Sequence, residues 1–226
     1  MESKLFTPVT FGPLTLRNRT IRSAAFESMC PGNAPSDMLL DYHRSVAAGG
    51  IGMTTVAYAA VTQSGLSFDR QLWMRPEIIP GLRRLTDAIH AEGAAAGIQL
   101  GHCGNMSHKS ICGCMPVGAS SGFNLYSPTF VRGLRADELP EMARAYGRSV
   151  NLAREAGFDS VEIHAGHGYL ISQFLSPSTN HRKDEFGGSL QNRMRFMDMV
   201  MEEVMKAAGS DMAVFVKMNM RDGFKG

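Results

Sequence analysis

Short apolar runs alternate without a break with amphipathic segments of helical period, and this pattern restricts the chain more than any other feature. The apolar runs are Thr20–Ala25, Ile51–Val56, Ala95–Leu100, Asp159–His164 and Ala213–Met218. Between them lie four segments whose apolar residues recur at helical spacing: Asp37–Ala48, Pro76–Glu92, Asp137–Ala156 and Ser189–Ala208. Their ends carry the expected signals. Ser36 or Asp37 caps the first and Gly49-Gly50 stops it. Pro76 opens the second, Gly93 follows it, and Gly157 closes the third. Ahead of the first run, Leu5–Leu16 holds turn signals at Thr7-Pro8 and Gly12-Pro13, which predicts a small β-hairpin.

Strict alternation of strand and helix implies an α/β protein with a parallel sheet and right-handed crossovers. A doubly wound open sheet and a TIM (β/α)8 barrel are the candidates. The barrel is favoured because the chemically distinctive residues follow the C-terminal ends of several different strands. No G-x-G-x-x-G follows the first strand, where a dinucleotide-binding sheet would carry it. The two longest connections, Gly101–Ala136 and Ala165–Gly188, also follow strands and read as loops over one mouth. Only about five βα units fit in 226 residues, whereas closure at this spacing needs roughly 300 or more. The expectation is therefore an incomplete barrel, with residues 1–226 forming the N-terminal part of a single domain.

Composition excludes several classes. A hydrophobic fraction of 44% with 19% charged residues is that of a globular chain. The balance of 23 basic to 21 acidic residues, net +2, offers no electrostatic footprint for nucleic acid or a membrane surface. The opening MESKLFTPVTFGPLTLRNRT has no apolar signal core, so a cytoplasmic location is expected. Cys30 and Cys103 stand alone, and Cys112 and Cys114 form a single C-x-C with no second ligand pair, so no metal site is expected and free thiols are. Sixteen methionines read as adaptable packing.

The densest chemistry is His164-Ala165-Gly166-His167-Gly168-Tyr169. His164 ends a strand, and the glycines let the chain fold tightly enough for three side chains to share one mouth. Two neutral imidazoles side by side can donate two hydrogen bonds to one carbonyl or nitro oxygen, polarising an adjacent C=C. A nearby phenol then serves as proton donor. Two other readings of the pair stay open on residues alone: a metal pair, for which no helix face or general-base Glu is present, and two buried structural histidines.

The stretch HAGHGYLISQFLSPSTNHRKDEFGGSLQNRMRF, from His164 to Phe196, closely resembles the long signature of the old yellow enzyme, or NADH:flavin oxidoreductase, family. LFTPVTFGPLTLRNRTIRSAA, Gly97–His102 and Val214–Asn219 resemble that family's opening hairpin and first strand, its third strand end and its fifth strand, in the right order. The resemblance implies a barrel holding FMN at its C-terminal mouth, with NAD(P)H as electron donor and a small molecule as substrate.

Carried over by position, it implies main-chain contacts from Ser23, Ala24 and Ala25 to the flavin and a contact from Tyr58. It gives Gln99 the pyrimidine edge and puts Lys217 near N1 and O2, where a cation favours the anionic reduced ring. Lys217 stands out without the resemblance, because it interrupts an apolar strand and a buried lysine needs a partner. His164 and His167 match the pair that binds the substrate's activating group, and Tyr169 matches the proton donor. Asn180, Arg182, Asp184, Asn192 and Arg193 belong to the same signature and read as ties between the long loop and the following helix. Phe26 departs from the Cys or Thr of some members, and Asn105 from a common Arg. The family's phosphate-binding loops belong to the seventh and eighth units. No iron–sulfur motif is encoded in this chain.

The implied reaction is NAD(P)H-driven reduction of an α,β-unsaturated alkene, with amine dehydrogenation or demethylation as the enzymatic alternative. The rival from another class is a non-catalytic truncated piece that lacks the phosphate site. The oligomeric state is open.

Overall fold

The structure, a computed structural model, describes residues 3–221. It opens on the expected hairpin: strands β1 (Val9–Phe11) and β2 (Leu14–Leu16) pair antiparallel. Then follow β3 (Ile21–Arg22), α1 (Asp37–Ala48), β4 (Met53–Ala60), α2 (Ile79–Ala91) and β5 (Ala95–Gly101). An excursion holds a short helix α3 (Lys109–Cys112) and strands β6 (Val117–Gly118), β7 (Gly122–Asn124) and β8 (Thr129–Gly133). The chain resumes with α4 (Leu139–Glu155), β9 (Ser160–Ala165), α5 (Leu170–Leu175), α6 (Leu190–Ala208) and β10 (Ala213–Met218).

The five strands β3, β4, β5, β9 and β10 form one parallel sheet in that spatial order, so each crossover lands beside its predecessor. All eight residues of β4 are buried, as befits a strand covered on both faces. The helices form as their caps and stripes dictate. Ser36 Oγ accepts from the Leu39 N–H at 3.1 Å, and α1 then turns Leu39, His43 and Ala47, spaced four apart, into the core. Outside the sheet α4 packs on α6. Gly147 makes that approach feasible, since a Cβ there would lie 3.0 Å from the Glu203 carbonyl oxygen.

Register decides which side chains share a layer, because parallel neighbours point the same way. Gln99 of β5 lies opposite Glu162 of β9, which lies opposite Phe215 of β10. Two residues further on, His164 lies opposite Lys217.

Three sequence expectations need correction. The first core strand spans only Ile21–Arg22, so Ser23, Ala24 and Ala25 lie beyond the ladder. Their backbone is held by side chains instead: Lys217 Nζ donates to the Ala24 oxygen at 3.1 Å, and Arg22 Nη2 to the Ala25 oxygen at 3.4 Å. The second strand starts at Met53 and runs on to Ala60 through an irregularity between Val56 and Ala59, which a hydrophobic run read from Ile51 cannot reveal. The two long connections are not bare loops. The first contains α3 and a small three-stranded sheet ordered β6-β8-β7, and the second contains α5. Their strands are too short for period-2 alternation to register. Among the described residues the outer edges of β3 and β10 have no strand partner.

Candidate active site

His164, His167 and Tyr169 converge at the C-terminal end of β9. His164 is 3% exposed and sits opposite Lys217. Beyond it the chain turns sharply: His167 and Gly168 both take left-handed backbone, with φ of 57° and 70°. The turn swings the His167 ring back to 4.8 Å from the His164 ring. Tyr169 precedes α5, and its ring lies 4.7 Å from His164 and 5.3 Å from Tyr58.

The hydrogen bonds assign the imidazole protons. The Gly166 N–H donates to His164 Nδ1 at 3.3 Å, so His164 carries its proton on Nε2. That Nε2 lies 3.1 Å from His167 Nδ1, which therefore accepts and leaves His167 protonated on Nε2. The pair expected to address a substrate oxygen together is thus bonded to itself. Burial, then His167, then Lys217 push the His164 imidazole down to about 3, so it stays neutral over the physiological range. Burial raises the Tyr169 phenol, with Ser67 and Tyr58 hydroxyls working against that rise. It remains a protonated donor.

Tyr58 is 3% exposed, and its hydroxyl is shared with Ser67 Oγ at 2.8 Å and the Gly65 carbonyl at 3.3 Å. Its ring is what it offers the mouth. Burial drives its phenol well above the ordinary value. Gln99 is buried, and its Nε2 donates to Glu162 Oε1 at 2.6 Å, which fixes the carboxamide orientation. Beneath the segment 23–25, Glu27 binds Arg22 Nη1 at 2.7 Å and lies 3.3 Å from His43 Nε2, deep in the fold. Phe26 stacks on Phe68 at 4.4 Å.

A cleft of about 550 Å³ opens beside His167, lined among others by Asn105, Phe123, Tyr126, His181 and Asn219. The small sheet forms one wall. The signature residues tie the other: Asn180 Nδ2 bridges the Phe174 and Phe186 carbonyls at 2.7 Å each, and Arg193 Nε reaches the Leu175 carbonyl at 2.7 Å. Asn192 Nδ2 donates to the Gly187 carbonyl at 3.0 Å. Arg182 binds Asp184 and the Ala119 and Leu134 carbonyls, so it also clamps the excursion, a role beyond that expected.

Sequence reasoning passed over Glu162, Asn219, Glu27 and Ser67. Glu162 had a signal, since it shares the inward alternation of His164. The others are brought in by backbone turns that no pattern encodes. Cys112 and Cys114 sulfurs lie 3.7 Å apart, and all four cysteines are free thiols. Among the described residues no group of three His, Cys, Asp or Glu could hold a metal ion, and no helix is long and apolar enough to cross a membrane.

Residues 4–226 match the model of the NADH:flavin oxidoreductase / NADH oxidase family. The chain is 43% identical over 219 residues to a 4,4'-dithiodibutanoate disulfide reductase of Rhodococcus erythropolis, covering 97% of this chain and 54% of that protein. It is 36% identical over 227 residues to an NADPH dehydrogenase of Bacillus subtilis, covering 98% and 65%. Among solved structures, an old yellow enzyme homologue from Zymomonas mobilis superposes with a TM-score of 0.88 at 30% identity, covering 96% of this chain and 63% of that one. The chain thus spans roughly half to two thirds of the length of these relatives. The parallel sheet is accordingly part of an α/β fold of the old yellow enzyme type, and the chain belongs to the NADH:flavin oxidoreductase / NADH oxidase family.

Proposed function

We propose that this chain carries the substrate end, and the isoalloxazine edge, of an FMN-dependent oxidoreductase that uses NAD(P)H to reduce activated alkenes. The observation that carries the reading is the convergence of two imidazoles and one phenol at a single strand end. The residues fit a flavin ring. Gln99 has its amide nitrogen committed to Glu162, and its Oε1 accepts no hydrogen bond among the described residues, which suits an N–H on the pyrimidine edge. Lys217 puts a cation one layer above and pins the Ala24 backbone, with Ser23 and Ala25 beside it. Tyr58 contributes a ring face.

When bound, FMN supplies the hydride. The chain's own residues do the rest. His164 Nε2–H transfers its hydrogen bond from His167 to the substrate's carbonyl or nitro oxygen, and His167 turns or shifts its proton to give a second donor. Both bonds strengthen as the C=C electron pair moves toward that oxygen. Tyr169 delivers its proton to the α-carbon. The cleft beside His167 takes the remainder of the substrate, with Phe123 and Tyr126 against its apolar part. Anaerobic mixing of the reduced, flavin-loaded protein with 2-cyclohexenone tests the reading. Rapid flavin reoxidation with release of cyclohexanone supports it, and no reoxidation opposes it.

A second substrate class is favoured by the relative that reduces an organic disulfide. There the hydride goes to one sulfur and the other leaves as a thiolate, so no carbon is protonated. His164 and His167 would stabilise the thiolate, and Tyr169 would be dispensable.

A further inference from the structure

We propose that Asn219 is the positioning residue that fixes the separation of the two substrate-anchoring imidazoles. The inference rests on reading His164 and His167 as donors to the substrate oxygen.

His167 is one of three non-glycine residues with positive φ among those described. A β-carbon is disfavoured in that conformation, which persists only where neighbours hold it. The holder is Asn219. Its Oδ1 accepts from the His167 N–H at 3.1 Å. β9 and β10 run in register as far as Ala165 and Met218. Where β9 then leaves the sheet, the residue that follows β10 continues the contact with a side-chain oxygen in place of a main-chain one. Gly166 leaves room for it, because a Cβ there would lie 3.0 Å from the same Oδ1.

The backbone under His167 is therefore set by the neighbouring strand, and with it the 3.1 Å meeting of His167 Nδ1 and His164 Nε2. An oxygen that is to be held by both rings needs their relative placement reproducible to a few tenths of an ångström. Asn219 also lines the cleft, so the positioning group and the substrate share one wall.

Long-range proton–nitrogen spectra of the histidine-labelled chain test this without any flavin. In the wild type, both rings should report the Nε2–H tautomer, with His164 Nε2–H displaced downfield by its bond to His167. Asn219→Leu keeps the bulk and removes the acceptor; it should reduce the bonded pair about fivefold, because the left-handed turn at His167 loses the hydrogen bond that holds it. Asn219→Asp keeps an acceptor and should retain the pair. Gly166→Ala, which intrudes on Oδ1, should reproduce the loss and serves as the second arm if the leucine variant does not fold. An unchanged pair in Asn219→Leu or in Gly166→Ala, or equal loss in the leucine and aspartate variants, overturns the role of Asn219 and leaves the site reading intact. Absence of the bonded pair in the wild type overturns the paired-imidazole reading itself.

Discussion

His164 Nε2 donates to His167 Nδ1 across 3.1 Å, so in the proposed reaction His167 holds the donor that a substrate oxygen would take. In that reading, entry of the oxygen replaces the one hydrogen bond of the pair with two. On the proposed function, the site would favour acceptors strong enough to part the pair, carbonyl or nitro oxygens rather than ethers.

Two buried histidines, His164 and His102, make the fold acid-sensitive. Burial first, then His167 and Lys217, hold His164 near 3, and burial alone holds His102 near 3. The denatured chain accepts protons at both below about pH 6.5. Stability is therefore full above that value and falls as pH drops toward 3, by up to about 1.4 kcal/mol per pH unit for each histidine. Urea titrations between pH 7 and 4 should show this slope. His164→Asn should remove close to one proton's share of it, and an unchanged slope would mean His164 titrates normally.

Tyr169→Phe separates the two substrate classes. In the flavin-loaded protein it should slow reoxidation by an enone about 10²–10⁴-fold, while reduction by nicotinamide and reoxidation by an organic disulfide stay within a few-fold of wild type. Stopped-flow traces of the separate half-reactions measure this. Equal slowing of all three would show that the phenol positions the ring rather than delivers a proton.

How much of this was legible beforehand follows from which forces set each part. The segment Ala213–Met218 appears in the structure with its read boundaries, and Asp37–Ala48 does too, because amphipathic period and caps are local properties. The grouping of His164, His167 and Tyr169 was legible because six consecutive residues carry it. The mutual bond of the imidazoles was not, since it depends on the left-handed turn at His167 and on Asn219, which is 52 residues away. Likewise Ser23–Ala25 reads as strand from its apolar run, whereas it lies outside the ladder with the distant Lys217 bonded to its Ala24 carbonyl.

Arg182 holds the signature loop against the excursion. Its side chain is 9% exposed, reaches the Ala119 and Leu134 carbonyls, and lies 5.5 Å over the Phe174 ring. Arg182→Ala should destabilise the chain by about 2–4 kcal/mol, leaving two carbonyls unpaired and an aromatic face uncovered. Arg182→Lys should recover less than half, because an ammonium cannot span the carbonyls and Asp184 together. Urea melts at neutral pH give both values, and a loss below about 0.5 kcal/mol for the alanine variant would place the clamp elsewhere.

The central claim, that Gln99 and Lys217 form the flavin-ring half of the site, is tested most directly by titrating this chain with FMN and with riboflavin and following flavin fluorescence. If residues 3–221 hold only the ring half of the site, both flavins should be quenched with equal, weak affinity. Gln99→Ala and Lys217→Met should each weaken both about tenfold. Quenching of neither flavin, or quenching indifferent to both substitutions, would contradict the placement of the ring at this mouth.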